Sequence, residues 1–492
     1  MAVLSLLKSM RINKKYRILF LLLFAISLDG YSRLKLPSII GSNMVLQQRS
    51  PIKIWGTAAP FKMISVVASW DNHKCITKSD KDGNWMTSLI TPQAGGPFEI
   101  KIMEEDQIVL KNILIGEVWL CSGQSNMEMH VKGFNNQPVN GSLDIIARAR
   151  KETPIRLFTV ERNMSKTPLG DCSGKWSENT PENVADASGV AYFFGKYLQE
   201  ALNVPVGLIM PTWGGTKVED WMNRKSIEPF KEIDLSNLDN NNTPVDDPNK
   251  VPCVLYNAMI HPLINYAIKG AIWYQGESNA NQPTLYRRLM PAFVKGLRDD
   301  WGLGEFPFYY VQIAPYKYQH PDSVRGAKLR EVQMQNLQEI PNSGMAIILD
   351  IGSKDFIHPP EKIKVGNRLA YWALSNTYGR TGYAFCGPVY KSMEVLGSKV
   401  LISFDHTEGG LIPMGKLIEN FEIAGADKVF YPAKATVEMK KGPGDVLRDR
   451  LEVESDKVPN PVAVRYAFRN YVEASLFNGF GLPASSFRTD NW

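Results

Sequence analysis

The stretch Gly116-Glu117-Val118-Trp119-Leu120-Cys121-Ser122-Gly123-Gln124-Ser125-Asn126-Met127 sets the fold. Its apolar start, Gly116–Cys121, reads as a short buried strand. The polar and glycine-bearing end reads as a turn. Working outward, further apolar runs of strand length follow at Val206–Met210, Gly270–Tyr274, Phe308–Ile313 and Met345–Ile351. Between and after them lie amphipathic stretches of helix length: Val190–Leu202, Leu285–Trp301, Lys328–Glu339 and Glu361–Leu374. Strands alternating with helices predict an α/β domain on a parallel sheet. In such sheets reactive groups gather at the carboxyl ends of the strands. A serine just after the first strand is therefore well placed for chemistry.

The flanks have a different texture. Residues from about 34 to 110 carry short β-type runs, Ile52–Gly56 and Met63–Ala68, with Gly95-Gly96-Pro97 and Asp71-Asn72 as punctuation. They predict a small β-sandwich. From about 380 strands return at Val400–Phe404, Glu422–Ala424, Ala433–Val437 and Val462–Tyr466, predicting a second β domain. The predicted organisation is thus 33–111, 112–380 and 381–492, with Ser236–Lys250 as a surface loop of the middle domain.

Residues 1–32 stand apart. Lys8, Arg11, Lys14, Lys15 and Arg17 precede the apolar run Ile18–Leu28, and Gly30 and Ser32 follow. That order matches a secretory signal, which places the mature chain in a periplasmic or extracellular setting; an uncleaved N-terminal anchor is the alternative. Cleavage after Ser32 would remove five of the 56 Lys and Arg and one of the 50 Asp and Glu, leaving 51 against 49. The basic excess belongs largely to the leader and gives no case for a nucleic-acid partner. No stable membrane insertion is expected of the rest. Cys75, Cys121, Cys172, Cys253 and Cys386 show no paired metal-site spacing, and buried thiols are the default reading.

A serine at a strand-to-helix turn can lift its hydroxyl above the sheet edge, with backbone N–H groups facing developing negative charge. Taken alone, Ser125 reads more readily as a helix N-cap. Met127 stands where the usual nucleophile elbow has its second glycine, which argues against an ordinary α/β-hydrolase. The chain has six histidines. His358 lies in Asp350-Ile351-Gly352-Ser353-Lys354-Asp355-Phe356-Ile357-His358-Pro359, between a strand and a helix. Asp355, three residues earlier, could orient its Nδ1 through a single turn and leave Nε2 to take a hydroxyl proton. Trp213-Gly214-Gly215-Thr216 offers a close backbone N–H, and Gln275-Gly276-Glu277-Ser278-Asn279 an amide donor, each after a strand.

Gly-Gln-Ser-Asn-Met, Trp-Gly-Gly-Thr, Trp-Tyr-Gln-Gly-Glu-Ser-Asn and Asp-x-x-His-Pro, in this order, resemble the SGNH/GDSL hydrolases, and more closely the sialate O-acetylesterase family. Leu36-Pro37 with Asn43–Gln47, and Glu419–Ala426 with Gly481–Trp492, resemble the family's two ends. The resemblance implies a flavodoxin-like three-layer α/β/α domain with a parallel sheet, flanked by N- and C-terminal β-sandwich-type segments. It implies Ser125 as nucleophile, His358 as base and then acid, and Asp355 as its orienter. Many relatives carry an acid directly before Ile-His-Pro, where this chain has Phe356; a backbone carbonyl is the alternative orienter, and Asp350 a weaker one. The implied oxyanion donors are the N–H groups of Ser125 and Gly215 (or Gly214) and the amide of Gln275, with Asn126, Glu277 and Asn279 in support. No metal or cofactor is implied. The substrate expected is an O-acetylated sialic acid. Acetylated xylan or another plant glycan is the rival, and a non-catalytic glycan-binding chain is the rival from another class. Recognition of a sialic acid needs a cation, for which Arg162, Arg224 and Arg287 are available; no local spacing singles one out, and ordinary solvated surface charge is the favoured reading of all three.

Overall fold

In the computed structural model, which describes residues 34–240, 244–415, 417–442 and 445–492, the expected strand at Gly116–Cys121 is part of a 17-residue strand, β1 (Gln107–Gly123). The leader expected over residues 1–32 lies outside the described residues. The first half of β1 pairs antiparallel with Gly95–Met103 of the N-terminal β region. Its second half is the central strand of the α/β sheet. The boundary expected between 111 and 112 therefore falls inside one strand. A shared strand couples the two regions through a continuous backbone ladder.

The sheet continues with β2 (Ile155–Val160), β3 (Trp176–Glu178), β4 (Val206–Pro211), β5 (Gly270–Tyr274), β6 (Phe308–Val311) and β7 (Ser343–Ala346), in the spatial order β7-β6-β5-β1-β4-β2-β3. All neighbours are parallel except the edge pair β2 and β3. The sequence reading missed β2 and β3. Between Ile155 and Val160 the run is Ile-Arg-Leu-Phe-Thr-Val, and its Arg156 disguises a strand that is buried at every position but Thr159. The expected strand at Met345–Ile351 begins two residues earlier, and only Ser343–Ala346 joins the ladder.

Four long helices cover the sheet: α1 (Gly189–Leu202), α2 (Pro283–Trp301), α3 (Arg325–Glu339) and α4 (Lys362–Trp372). Register shows which face each one takes. Trp119 pairs with Gly270, and Ser122 with Trp273, so the two tryptophans point to opposite faces of the sheet. Trp119 meets Phe194 of α1 edge-on at 5.0 Å, and Trp273 meets Phe293 of α2 at 4.6 Å. Both indoles are buried, and truncating a buried Trp costs about 3–5 kcal/mol. The side chain of Ser188 caps α1 on the Ala191 N–H, and Gly302 in the left-handed conformation ends α2.

The expected C-terminal sandwich is instead dominated by one seven-stranded antiparallel sheet over residues 389–488. Arg330 of α3 docks it. Its guanidinium is fully buried and donates to Ser486 Oγ at 3.1 Å and to the Arg469 carbonyl at 2.5 Å. Gln312 donates to Ser485 Oγ at 2.8 Å. All five cysteines are unpaired, and four are buried. No helix of the described residues is long and apolar enough to cross a membrane.

Candidate active site

Four loops at the carboxyl ends of β1, β4, β5 and β7 meet above the sheet. Gly123 closes β1 with φ +147°, and a Cβ there would lie 2.1 Å from the Tyr274 carbonyl oxygen. Only glycine lets the two strand ends approach this closely. Gln124 is extended and accepts the Met127 and Glu128 N–H groups at 2.8 and 2.9 Å, which starts a one-turn helix at Ser125. The N–H groups of Ser125 and Asn126 have no partner among the described residues, as the first turn of a helix leaves them.

Ser125 Oγ lies 2.8 Å from His358 Nε2. The structure thus brings together the two residues that the sequence separates by 233 positions. It does not bring Asp355 to them. Asp355 is exposed and accepts from Lys317 Nζ at 2.7 Å, a bond that holds its carboxyl below the usual range. Asp350 is tied to Arg368 by two bonds of 2.6 and 2.7 Å. The expected geometry needed a tight turn from 355 to 358. Pro359 disfavours a helical conformation at the residue before it, and the segment runs as an open bend.

The partner of His358 Nδ1 is Gln137, whose Oε1 lies at 2.7 Å. An amide oxygen there accepts an Nδ1–H, which leaves Nε2 unprotonated toward the serine. Gln137 is held by a tight turn in which Phe134 and Gln137 exchange both backbone hydrogen bonds at 3.0 Å, with Asn136 at φ 59°. Phe134 packs edge-on against the imidazole at 5.4 Å. Burial, and then the charge of Lys362, push His358 down to about 4. Sequence reasoning missed Gln137 because the orienters it offered, a carboxylate or a backbone carbonyl, were sought close to the histidine in the chain. A neutral amide 221 residues away carries no such signal.

The backbone donors divide. Gly214 N–H is occupied, donating to Glu128 Oε2 at 2.9 Å. Gly215, at φ +79°, has an N–H with no partner among the described residues. With Ser125 it supplies two open donors. Gln275 does not supply a third. Its side chain is fully buried, and both amide hydrogens are spent on Asn279 Oδ1 at 2.7 Å and the Thr216 carbonyl at 3.2 Å. The orientation is forced, because Asn279 Oδ1 also accepts the Val218 N–H while its Nδ2 donates to Glu219 Oε2. Gln275 and Asn279 therefore brace the loops after β4 and β5.

Of the three arginines considered as substrate cations, Arg162 is bonded to the nucleophile turn, through Glu128. It donates to Glu128 Oε1 through Nε at 2.8 Å and lies 5.3 Å from the Trp213 ring centroid. Arg224 is paired with Asp239 and Arg287 with Glu339.

Gly214 packs directly on the nucleophile. A Cβ there would sit 2.9 Å from Glu128 Oε2, 3.1 Å from Ser125 Cβ and 3.4 Å from Ser125 Cα. Gly214→Ala is expected to shift the turn by a few tenths of an ångström or more and lower kcat on an aryl acetate by ~10²-fold, the scale of a misplaced reacting group. Wild-type kcat in that variant would show that the turn tolerates displacement.

A family model described as "Carbohydrate esterase, sialic acid-specific acetylesterase" matches residues 115–375. The chain is 31% identical over 404 residues to the human sialate O-acetylesterase, covering 75% of this chain and 76% of that one. It is 29% identical over 449 residues to the rat sialate O-acetylesterase, covering 79% and 82%. Among solved structures, a carbohydrate acetylesterase from Xanthomonas citri is 35% identical with a TM-score of 0.83, covering 94% of this chain and all of that one. The match spans the nucleophile turn, the Gly214-Gly215 loop, the Gln275 loop and His358. The chain belongs to the carbohydrate esterase family of sialic acid-specific acetylesterases and is a carboxylic-ester hydrolase.

Proposed function

We propose that this chain removes O-acetyl groups from sugars, with O-acetylated sialic acids as its substrates, by a two-step acyl transfer. The observation that carries the reading is the 2.8 Å approach of Ser125 Oγ to His358 Nε2, beside two open backbone donors. His358 takes the Ser125 proton as Oγ attacks the acetyl carbonyl. The N–H groups of Ser125 and Gly215 receive the oxyanion. The imidazolium returns its proton to the departing sugar hydroxyl. Water, deprotonated by the same imidazole, releases acetate and restores Ser125. Gln137 holds the Nδ1–H tautomer throughout. Six parallel strands with helices on opposite faces support a three-layer α/β/α scaffold, although their order, with Val206–Pro211 between the nucleophile strand and Ile155–Val160, differs from the flavodoxin order.

A second reading, a neutral acetylated plant glycan such as xylan, is favoured by one observation. Arg162, the cation at the nucleophile turn, is already paired with Glu128. A guanidinium so neutralised attracts a sialate carboxylate less than a free one. Acetate release from a panel of O-acetylated sialic acids and acetylated xylo-oligosaccharides separates the two. A higher kcat/KM on the sialic acids supports the first reading, and a preference for the neutral fragments overturns it. The Ser125–His358 pair opposes a purely binding role. A fluorophosphonate adduct on Ser125 of the folded protein is expected, and its absence would leave only binding.

A further inference from the structure

Behind the nucleophile and the histidine lies a buried polar chain that the acyl-transfer steps do not use. Lys362, the first residue of α4, is fully buried, and its Nζ donates to Asn126 Oδ1 at 2.5 Å. The other end of the same amide, Asn126 Nδ2, donates to Glu277 Oε1 at 2.7 Å and to the Ile357 carbonyl at 3.0 Å. Asn126 follows Ser125 in the chain, and Ile357 precedes His358. One side chain therefore ties the nucleophile turn to the histidine loop, and Lys362 fixes which way that amide points.

A fully buried ammonium is expensive to keep. Among the described residues it has no direct carboxylate partner; Glu277 balances it across Asn126. The remaining oxygen, Glu277 Oε2, is buried without a hydrogen-bond partner among the described residues. The Tyr274 ring lies under Lys362 Nζ at 5.5 Å. A hydrocarbon side chain would fill this space without such a cost, so the charge calls for another account.

The surroundings of His358 supply it. Gln137 and Phe134, from the loop after the nucleophile turn, are neutral; beyond Phe134 stands His130, edge-on at 5.9 Å. Lys362 comes from the histidine's own following helix. Glu277 comes from the loop after β5 and is reached through Asn126, with Tyr318 and Tyr274 coupled to it. Glu128, bonded to Arg162, lies beyond Ser125. The imidazole thus has a cation near it and an amide where serine hydrolases commonly place an anion.

We propose that Lys362 is a positioning and tuning residue of this esterase: through Asn126 it sets Ser125 against His358, and its charge keeps His358 an unprotonated base in acidic medium. The sign is consistent. An adjacent cation disfavours imidazolium. Burial pushes Lys362 down to about 7, so it carries its charge below neutrality, where that charge adds to burial in disfavouring the His358 imidazolium. The inference rests on the Ser125–His358 reading of the site.

The test is the pH dependence, from about 3.5 to 8, of fluorophosphonate labelling of Ser125 and of kcat/KM on an aryl acetate. In the wild type the acid limb is expected well below the ordinary imidazole value of ~6.5. A wild-type limb at or above 6 overturns the proposal whatever the variants do. Lys362→Met is expected to move the limb up by about one pH unit or more, and Lys362→Arg to leave it low. Asn126→Ala is expected to lower kcat by ~10- to 100-fold with little change in KM, as lost positioning does. A Lys362→Met protein that loses rate but keeps the wild-type limb reduces Lys362 to packing and overturns the tuning role. If Ser125 forms no adduct at any pH, the Ser125–His358 reading itself has failed, and the Lys362 role with it.

Discussion

Ser125→Ala is expected to lower kcat for acetate release by ~10⁶-fold, the loss seen when the serine of a comparable catalytic set is removed. The argument is geometric. Ser125 Oγ is the nucleophile-type atom held on a histidine nitrogen, at 2.8 Å, beside open donors at the head of a helical turn. Alanine removes the attacking atom and leaves the turn intact, because that turn is built by Gln124, Gly123 and Tyr274 rather than by the Ser125 hydroxyl. Circular dichroism and the thermal midpoint are therefore expected to stay near those of the wild type. The donors of Ser125 and Gly215 survive the substitution, so a residual rate above water remains. An aryl acetate gives the readout with no assumption about the sugar. Activity within tenfold of the wild type would move the nucleophile elsewhere.

Gln137→Ala is expected to lower kcat by ~10²-fold, while Asp355→Asn stays within about twofold of the wild type. The general-base contribution of a histidine is ~10²–10⁴, and it depends on the tautomer that leaves Nε2 open. Gln137 Oε1, at 2.7 Å from Nδ1, selects that tautomer. Alanine lets the ring turn and take the wrong one. Asp355 faces Lys317 instead of the imidazole, so losing its charge changes an exposed pair and no reacting group. A third variant sharpens the distinction. Gln137→Glu places an anion where the wild type has an amide, and an anion there favours imidazolium. Its acid limb is expected at higher pH than that of the wild type. The comparison is overturned if Asp355→Asn loses more activity than Gln137→Ala.

Much of this arrangement was legible in one dimension because its signals are local. The run from Gly116 to Met127 shows a strand meeting a turn, since a buried strand must be apolar and a close strand end must use glycine. Six histidines in 492 residues made His358 easy to single out. The four long helices were readable from their amphipathic spacing. β2 was not readable, because Arg156 interrupts its apolar run while remaining buried in the fold. The inner wall of the site was misread for a related reason. Gln275 carries an amide in the expected loop, yet Asn279 and Thr216 consume both of its hydrogens. Hydrogen-bond allegiance is a property of neighbours in space, and residue type alone does not disclose it.

By itself the sequence determined the α/β alternation, the serine at the end of the first long strand, and the histidine that meets it. Each follows from periodicity, turn chemistry or scarcity along the chain. Tertiary structure alone decided that a neutral Gln137 takes the place expected for Asp355. It decided that Gly214 is committed to Glu128 while Gly215 stays open, and that Lys362 sits buried behind the pair. Those outcomes depend on which side chains are brought within about 3 Å of one another, and that distance is set by how the loops of four strands converge.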